Sequence, residues 1–272
     1  MCIQNQDKKF HNLGQPQRIW AVSSVHGDLE RLTAVHDALL ERFEVGDKLV
    51  YLGNYTGHGT QSAACVDEIL TFRRLIMSLP GARCSDLSYL RGGQEEMLQK
   101  LLQLQFAPNP SGVFLWMLSN GLSATLQSYG LCHHDGLEAC QQGIMSITKW
   151  TGEVRARIRA RAGHDIFSTV LSRAAFTEES ALYPMLFVNA GIDTAKALDE
   201  QGDCLWWSGT DFVDIHDAYD PFKKVVRGYD PQHKGLYLNC VTATLDGGCG
   251  FGGELVCAGF SQQGEVFELL EA

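Results

Sequence analysis

The sequence predicts an α/β fold. Before residue 94, a short apolar strand, a loop of small residues and a helical segment follow one another twice, and a third strand and loop begin the pattern again. After residue 184 the chain becomes strand-rich. Between them lies a long stretch, 94–180, that reads mostly as helix. Alternation of this kind builds a sheet whose functional loops sit at the strand C-termini.

The elements follow in order. Residues 1–16 are polar, carry Gly14 and Pro16, and are expected to form a flexible arm. Residues 17–272 are expected to form one domain, with the helical insert inside it. Ile19–Val22 is a buried-strand run. Leu29, Leu32, Val35, Leu39 and Phe43 recur at helical spacing. Lys48–Leu52 is the next strand, and the glycine-rich stretch from Gly53 to Gly59 is its loop. A helix is predicted over 61–78 and a third strand over Leu87–Leu90. Within the insert, loops are expected around Phe106–Pro110 and His133–Gly136. Strands then fall at Met185–Val188, Lys224–Val226, Leu236–Leu238, Glu254–Ala258 and Glu265–Leu269, with Gly264 turning a hairpin between the last two.

Composition narrows the function classes. The chain has 272 residues, is 45% hydrophobic and 20% charged, and carries a formal charge of -10. An acidic surface of this kind repels nucleic-acid phosphates and anionic membranes, so neither is expected as a partner. The nine cysteines are scattered without a C-x-x-C pair, which fits reduced, buried thiols. No apolar run reaches membrane-spanning length and the N-terminus lacks a signal-like core, so a cytoplasmic location is expected.

Three stretches carry the functional argument: Ser24-Val25-His26-Gly27, Gly53-Asn54-Tyr55-Thr56-Gly57-His58-Gly59 and Arg91-Gly92-Gly93-Gln94-Glu95. They resemble the D-x-H-G, G-D-x-x-D-R-G and R-G-N-H-E motifs of the phosphoprotein phosphatase branch of the calcineurin-like metallophosphoesterases, the bacterial serine/threonine phosphatase-like proteins. Four further stretches extend the resemblance in the right order. These are Phe114–Gly130, Leu186–Ile192, Val225–Tyr229 and Asp246–Leu255. The resemblance implies a central β-sandwich of two mixed sheets flanked by helices. It also implies two divalent cations, such as manganese or iron and zinc, that clamp a phosphate and activate a water.

Carried over residue by residue, the ligands are nearly all replaced. The first aspartate falls on Ser24 and its histidine on His26. The bridging aspartate falls on Asn54, the amide on Gly93, and two further histidines on Asn189 and Tyr229. His26 alone is kept. The later aspartate of the second motif is Gly57, its phosphate-gripping arginine is His58, and the proton-donating histidine is Gln94, which is no acid near neutral pH. No catalytic residue, no metal and no cofactor are therefore expected. Ser24, His26, Asn54, Gly57, His58, Arg91, Gly93, Gln94, Asn189, Arg227 and Tyr229 are expected to line a remnant cleft, with His26, His58, Arg91 and Arg227 supplying positive charge or donors. The expected function is that of a pseudophosphatase, a binding or regulatory protein for a protein partner or a phosphorylated ligand. A weak or rewired metal-dependent phosphoesterase is the alternative.

Other features read as structural. Asp28 suits a helix N-cap and Glu95 a positive helix end. Asp230 and Asp246 sit in turns. Gly248-x-Gly250-x-x-Gly253 precedes a strand, which argues against a dinucleotide site. Cys132–Asp135 with Cys140 fits no zinc spacing. Trp206 reads as core and Trp207 as partly exposed, with Ser208 where the resemblance places an arginine. Arg155, Arg157, Arg159 and Arg161 split into the neighbours 155/159 and 157/161 on a helix. They form either a solvated face or a docking patch for an acidic or phosphorylated partner.

Overall fold

The computed structural model describes residues 9–272. Its first strand, β1 (Phe10–Asn12), lies in the stretch expected to be a loose arm. It pairs in parallel with a later strand, Ala174–Phe176, and the buried Leu13 follows it. Backbone pairing at a sheet edge thus orders a segment whose own residues show no strand pattern. Residues 1–8 of the expected arm lie outside the described residues.

The expected alternation follows. It runs β2 (Arg18–Val22), α1 (Leu29–Leu40), β3 (Lys48–Tyr51), α2 (Ser62–Met77) and β4 (Leu87–Tyr89). The insert contains α3 (Gly93–Leu101), α4 (Pro110–Met117), α5 (Ser123–Ser128), α6 (His133–Gln142), α7 (Ile144–Arg159) and α8 (His164–Thr169). The loop expected at His133–Gly136 is instead the first turn of α6: Gly136 packs against Trp150 and Phe114, so tertiary contact overrides the glycine's poor helix propensity.

The rest is β5 (Ala174–Phe176), β6 (Met185–Val188), the short α9 (Cys204–Trp207), β7 (Lys224–Arg227), β8 (Tyr237–Leu238), β9 (Thr242–Thr244), β10 (Val256–Ser261) and β11 (Val266–Glu271). β5 ends the helical stretch earlier than the expected residue 180.

Two mixed sheets result, ordered β1-β5-β6-β7-β9-β8 and β11-β10-β2-β3-β4. Side-chain alternation shows how they stack. In β2, Ile19 and Ala21 enter one apolar cluster while Trp20 and Val22 enter another. In β3, Val50 and Leu49 divide the same way. In β6 and β7, Phe187 and Val226 join the Ile19 cluster, whereas Leu186 and Val225 face Trp206, Phe212 and Tyr219. The shared cluster is therefore the core between the sheets. α1 and α2 cover the outside of one sheet, and the segment around α9 covers the outside of the other. The insert has its own core, built on Phe114, Ile147, Trp150 and Val154.

β2, β3 and β4 run parallel in one sheet, and β6, β7 and β9 run parallel in the other. The loops that leave their C-terminal ends meet. Ser24 N donates to Gly228 O at 3.1 Å, and Asn189 Nδ2 donates to Leu52 O at 2.6 Å. Gly228 permits this approach, because a Cβ there would come within 2.3 Å of the Leu52 Cβ. No helix among the described residues is long and apolar enough to cross a membrane.

Candidate functional site

The cleft lies where these loops converge. Val25 N and His26 N both donate to Asn54 O, at 3.1 and 2.7 Å, and this ties the loop after β2 to the loop after β3. His26 and Asn54 both sit in the left-handed region, with φ of 51° and 53°. Asparagine tolerates this conformation better than most residues, whereas a histidine there stores of the order of 1 kcal/mol of strain.

The six positions that would hold metal are brought together, but the side-chain polar atoms of Ser24, Asn54 and Asn189 are spent on one another and on nearby backbone. Asn54 Nδ2 donates to Ser24 Oγ at 3.2 Å and to Asn189 Oδ1 at 3.5 Å. Asn54 Oδ1 accepts from Gln94 N at 3.0 Å. Asn189 Nδ2 is engaged by Leu52 O, and Tyr229 N donates to Asn189 O at 2.9 Å. Ser24, Asn54 and Asn189 are buried in this neutral network. At Gly93 the space for a side chain is filled: an added Cβ would lie 2.9 Å from Trp207 Cζ3.

The remaining cleft positions take structural parts. Gly57, at φ 137°, admits the Gln94 side chain and the His26 ring, each 3.0 Å from where its Cβ would be. Gln94 Nε2 donates to Asn120 O at 2.8 Å. Arg91 pairs with Glu96 at 3.0 Å and lies over the Trp206 ring. Arg227 is fully buried. Its guanidinium donates to Thr244 Oγ1 and Gly209 O and pairs with Asp230 at 3.2 Å. The expectation that Arg91 and Arg227 offer free positive charge to the cleft is corrected accordingly, since partner carboxylates neutralise both.

The histidines supply no charge either. Burial, then the neighbouring His58 and His233, push His26 down to about 3. Burial also lowers His58, with His233 as the second cause. Both rings are therefore neutral at pH 7. Both His26 ring nitrogens are buried without a hydrogen-bond partner. The ring sits in an aromatic cluster, with centroids 5.5 Å from His58, 5.4 Å from Tyr229 and 5.2 Å from Phe251.

Three participants have a part in the cleft that the sequence did not assign them. Phe251, in the glycine-rich loop after β9, packs tilted against both His58 and His233, with ring centroids 4.3 and 4.1 Å away. His233, in the turn after Tyr229, bonds Asp246 Oδ2 at 3.0 Å. Glu95 is more than a helix-end acid. It accepts from Gly92 N, and from Asn54 N and Tyr55 N at 2.8 and 2.9 Å. A lone phenylalanine among glycines was the available signal for the first. The other two depend on tertiary approach.

The donor set does not fit two divalent cations. His26 is the one histidine at the ligand positions. The nearby carboxylates are occupied, Glu95 by backbone amides and Asp246 by Asp230 N, Gly248 N and His233. Among the described residues no group of three or more histidine, cysteine or acidic side chains is arranged to hold an ion.

No protein-family model and no curated protein matches the sequence. Solved structures do match the fold. A candidate diadenosine tetraphosphatase aligns at 14% identity over 97% of this chain and 98% of its own, with a TM-score of 0.59. A protein serine/threonine phosphatase from Saccharomyces cerevisiae, with similarity to a human phosphatase, aligns at 12% identity over 98% of this chain and 84% of its own, with a TM-score of 0.51. A metallophosphoesterase from Sphaerobacter thermophilus aligns at 12% identity over 94% and 88%, with a TM-score of 0.49. The chain has the calcineurin-like metallophosphoesterase fold. That finding overturns the expectation of no cofactor: the fold is shared with phosphatases, and it is the one for which the resemblance implies metal use. The poor fit of this donor set stands beside that correction, and no chemical step is derived through a metal.

Proposed function

We propose that this chain is a phosphoesterase-fold protein that binds rather than hydrolyses, and that its cleft receives a protein partner. The observation that carries this reading is the closed network of Ser24, Asn54 and Asn189. Residues that would hold a phosphate-activating centre open instead bond one another. Gln94, bonded to Asn120, has no proton to give a leaving oxygen.

The charge pattern favours a protein surface over a phosphorylated ligand. A phosphate dianion needs cationic or preorganised donors. Here His26 and His58 are neutral, and Arg91 and Arg227 already carry carboxylate partners. The rim instead presents apolar rings. Trp116 and Trp207, at 5.8 Å, and Phe251 are each nearly half exposed. Exposed aromatic groups beside a buried, uncharged floor have the composition of a protein-binding surface. A cytoplasmic setting belongs to this reading, supported by the free cysteines Cys65, Cys249 and Cys257.

Affinity capture with the full chain and with a Trp116→Ala/Trp207→Ala variant tests the proposal. A partner retained by the first and lost by the second is expected. Partners retained equally by both would place binding elsewhere.

One observation favours a second reading, a rewired metal-dependent phosphoesterase. The unpartnered His26 nitrogens face His58, and His233 with Asp246 lies nearby. Elemental analysis distinguishes the two readings. Stoichiometric metal that is lost in His26→Ala would support the second.

A further inference from the structure

Behind the cleft, on the far side of Glu95, is a cavity of about 340 Å³. It opens between α3, α7 and α8, away from the ligand positions. Val66, Leu98, Leu102, Ile158, Phe167 and Leu171 form its apolar lining, with Thr56, Gln99, Ser168 and Thr169 adding polar groups. One side is held in place by a hydrogen-bonded chain. Tyr129 Oη lies 2.8 Å from His164 Nδ1, and His164 Nε2 lies 2.9 Å from Asp67 Oδ1.

Charge at the mouth is arranged unevenly. The four arginines of the 155–161 segment divide as helical spacing requires. Arg157 pairs with Glu153 and Arg161 with Asp67. Arg155 and Arg159, one turn apart on the other side, both line the cavity and have no carboxylate partner among the described residues. Arg155 reaches only the Leu102 carbonyl, at 3.4 Å. Asp165 also lines the cavity, with one carboxylate oxygen accepting from Ile166 N at 2.9 Å. Glu95, at the inner end, is occupied by backbone amides. Beside the arginines, the exposed Ile166 extends the apolar wall to the surface.

We propose that this cavity is a binding site for a small amphiphilic anion, with its carboxylate or phosphate head on Arg155 and Arg159 and its apolar body inside. The volume is near the small end of the range for small-molecule sites. Two uncommitted guanidiniums at the mouth of an apolar pocket match an anionic head on a hydrocarbon body, because arginine grips planar or tetrahedral oxyanions through paired N–H donors. On a chain of formal charge -10, such a pair is a local exception to the general field. The site is separate from the cleft, and its test does not depend on turnover.

Isothermal titration calorimetry of the full chain with decanoate, decyl phosphate, decanol and decylamine tests it. Saturable binding of decanoate or decyl phosphate is expected, with decylamine failing to bind; the tighter of the two anions identifies the head group. Arg155→Ala/Arg159→Ala is expected to weaken anion binding by about tenfold or more and to leave decanol unchanged. Leu98→Trp, which fills the cavity, is expected to abolish binding of all three. If Leu98→Trp does not fold, the arginine pair decides alone, because those side chains lie at the mouth of the cavity. Absence of saturable anion binding, equal binding of decylamine, or anion affinity unchanged in the arginine variant would overturn the proposal.

Discussion

His26 concentrates the consequences of the altered cleft. It is buried, held at positive φ, and neutral because burial disfavours its charged form. Its folded-state value of about 3 lies below its ordinary 6.5, so the unfolded chain binds the extra proton first as pH falls. The stabilisation is complete above pH 6.5 and is lost progressively toward pH 3. At pH 5 the loss is of the order of 2 kcal/mol. His26→Asn, which tolerates the backbone conformation and does not titrate there, is expected to show a shallower fall in melting temperature between pH 7 and pH 5. Equal slopes would mean that His26 is not the group responsible.

Gly93 shows the same point sterically. Gly93→Asn is expected to cost about 1–3 kcal/mol, because the new side chain meets the Trp207 ring. Trp207→Ala in the same chain is expected to recover part of that cost, and thermal unfolding of the four variants gives the coupling. Additive costs would mean that the two side chains do not collide. The exchange of an amide for glycine was legible in the sequence. That a tryptophan more than a hundred residues away fills the space was not, because α9 reaches position 93 only through the sheet order.

Among the elements, α3 and the loop after β3 act as one unit, joined through Glu95. Its carboxylate accepts from Gly92 N within its own turn and from Asn54 N and Tyr55 N across it. Glu95→Ala leaves these buried amides without acceptors and is expected to lower stability by about 3 kcal/mol or more in denaturant unfolding. A loss below about 1 kcal/mol, in the range of an exposed helix-end acid, would contradict this. The helix-end role follows from the sequence, because an acid at the third helical position bonds the amide before the helix. The cross-loop role needs the strands β3 and β4 side by side. β1 is a comparable case: Phe10–Asn12 becomes a strand because Ala174–Phe176 offers an unpaired edge.

For the whole molecule, the α/β class was legible in the strand and loop pattern, but the two-sheet architecture followed only from the resemblance, because Ile19–Val22 is apolar on both faces. Ile19 and Ala21 face the shared core while Trp20 and Val22 face α1 and α2. The ordered motifs implied the joining of the two sheets at one end, and the parallel registers of β2–β4 and β6, β7 and β9 bring those loops together. Less legible were β9, whose three residues, Thr242–Thr244, are strand only by pairing, and the cavity behind Glu95, whose walls come from four separate stretches. Charge was misleading: Arg91 and Arg227 look available in sequence, and burial and pairing remove both.

The central claim is that the cleft has exchanged hydrolysis for binding. The most direct measurement is hydrolysis of an aryl phosphate by the purified chain with added manganese. It is made on the unmodified protein, on His26→Ala, and on a Ser24→Asp/Asn54→Asp variant. Background turnover is expected in all three. Two restored carboxylates still leave Gly93 under Trp207, Asn189 bonded to Leu52, and Gln94 without a proton to donate. Manganese-dependent, chelator-sensitive turnover by the unmodified protein, abolished in His26→Ala, would contradict the account and establish a working site built on that histidine.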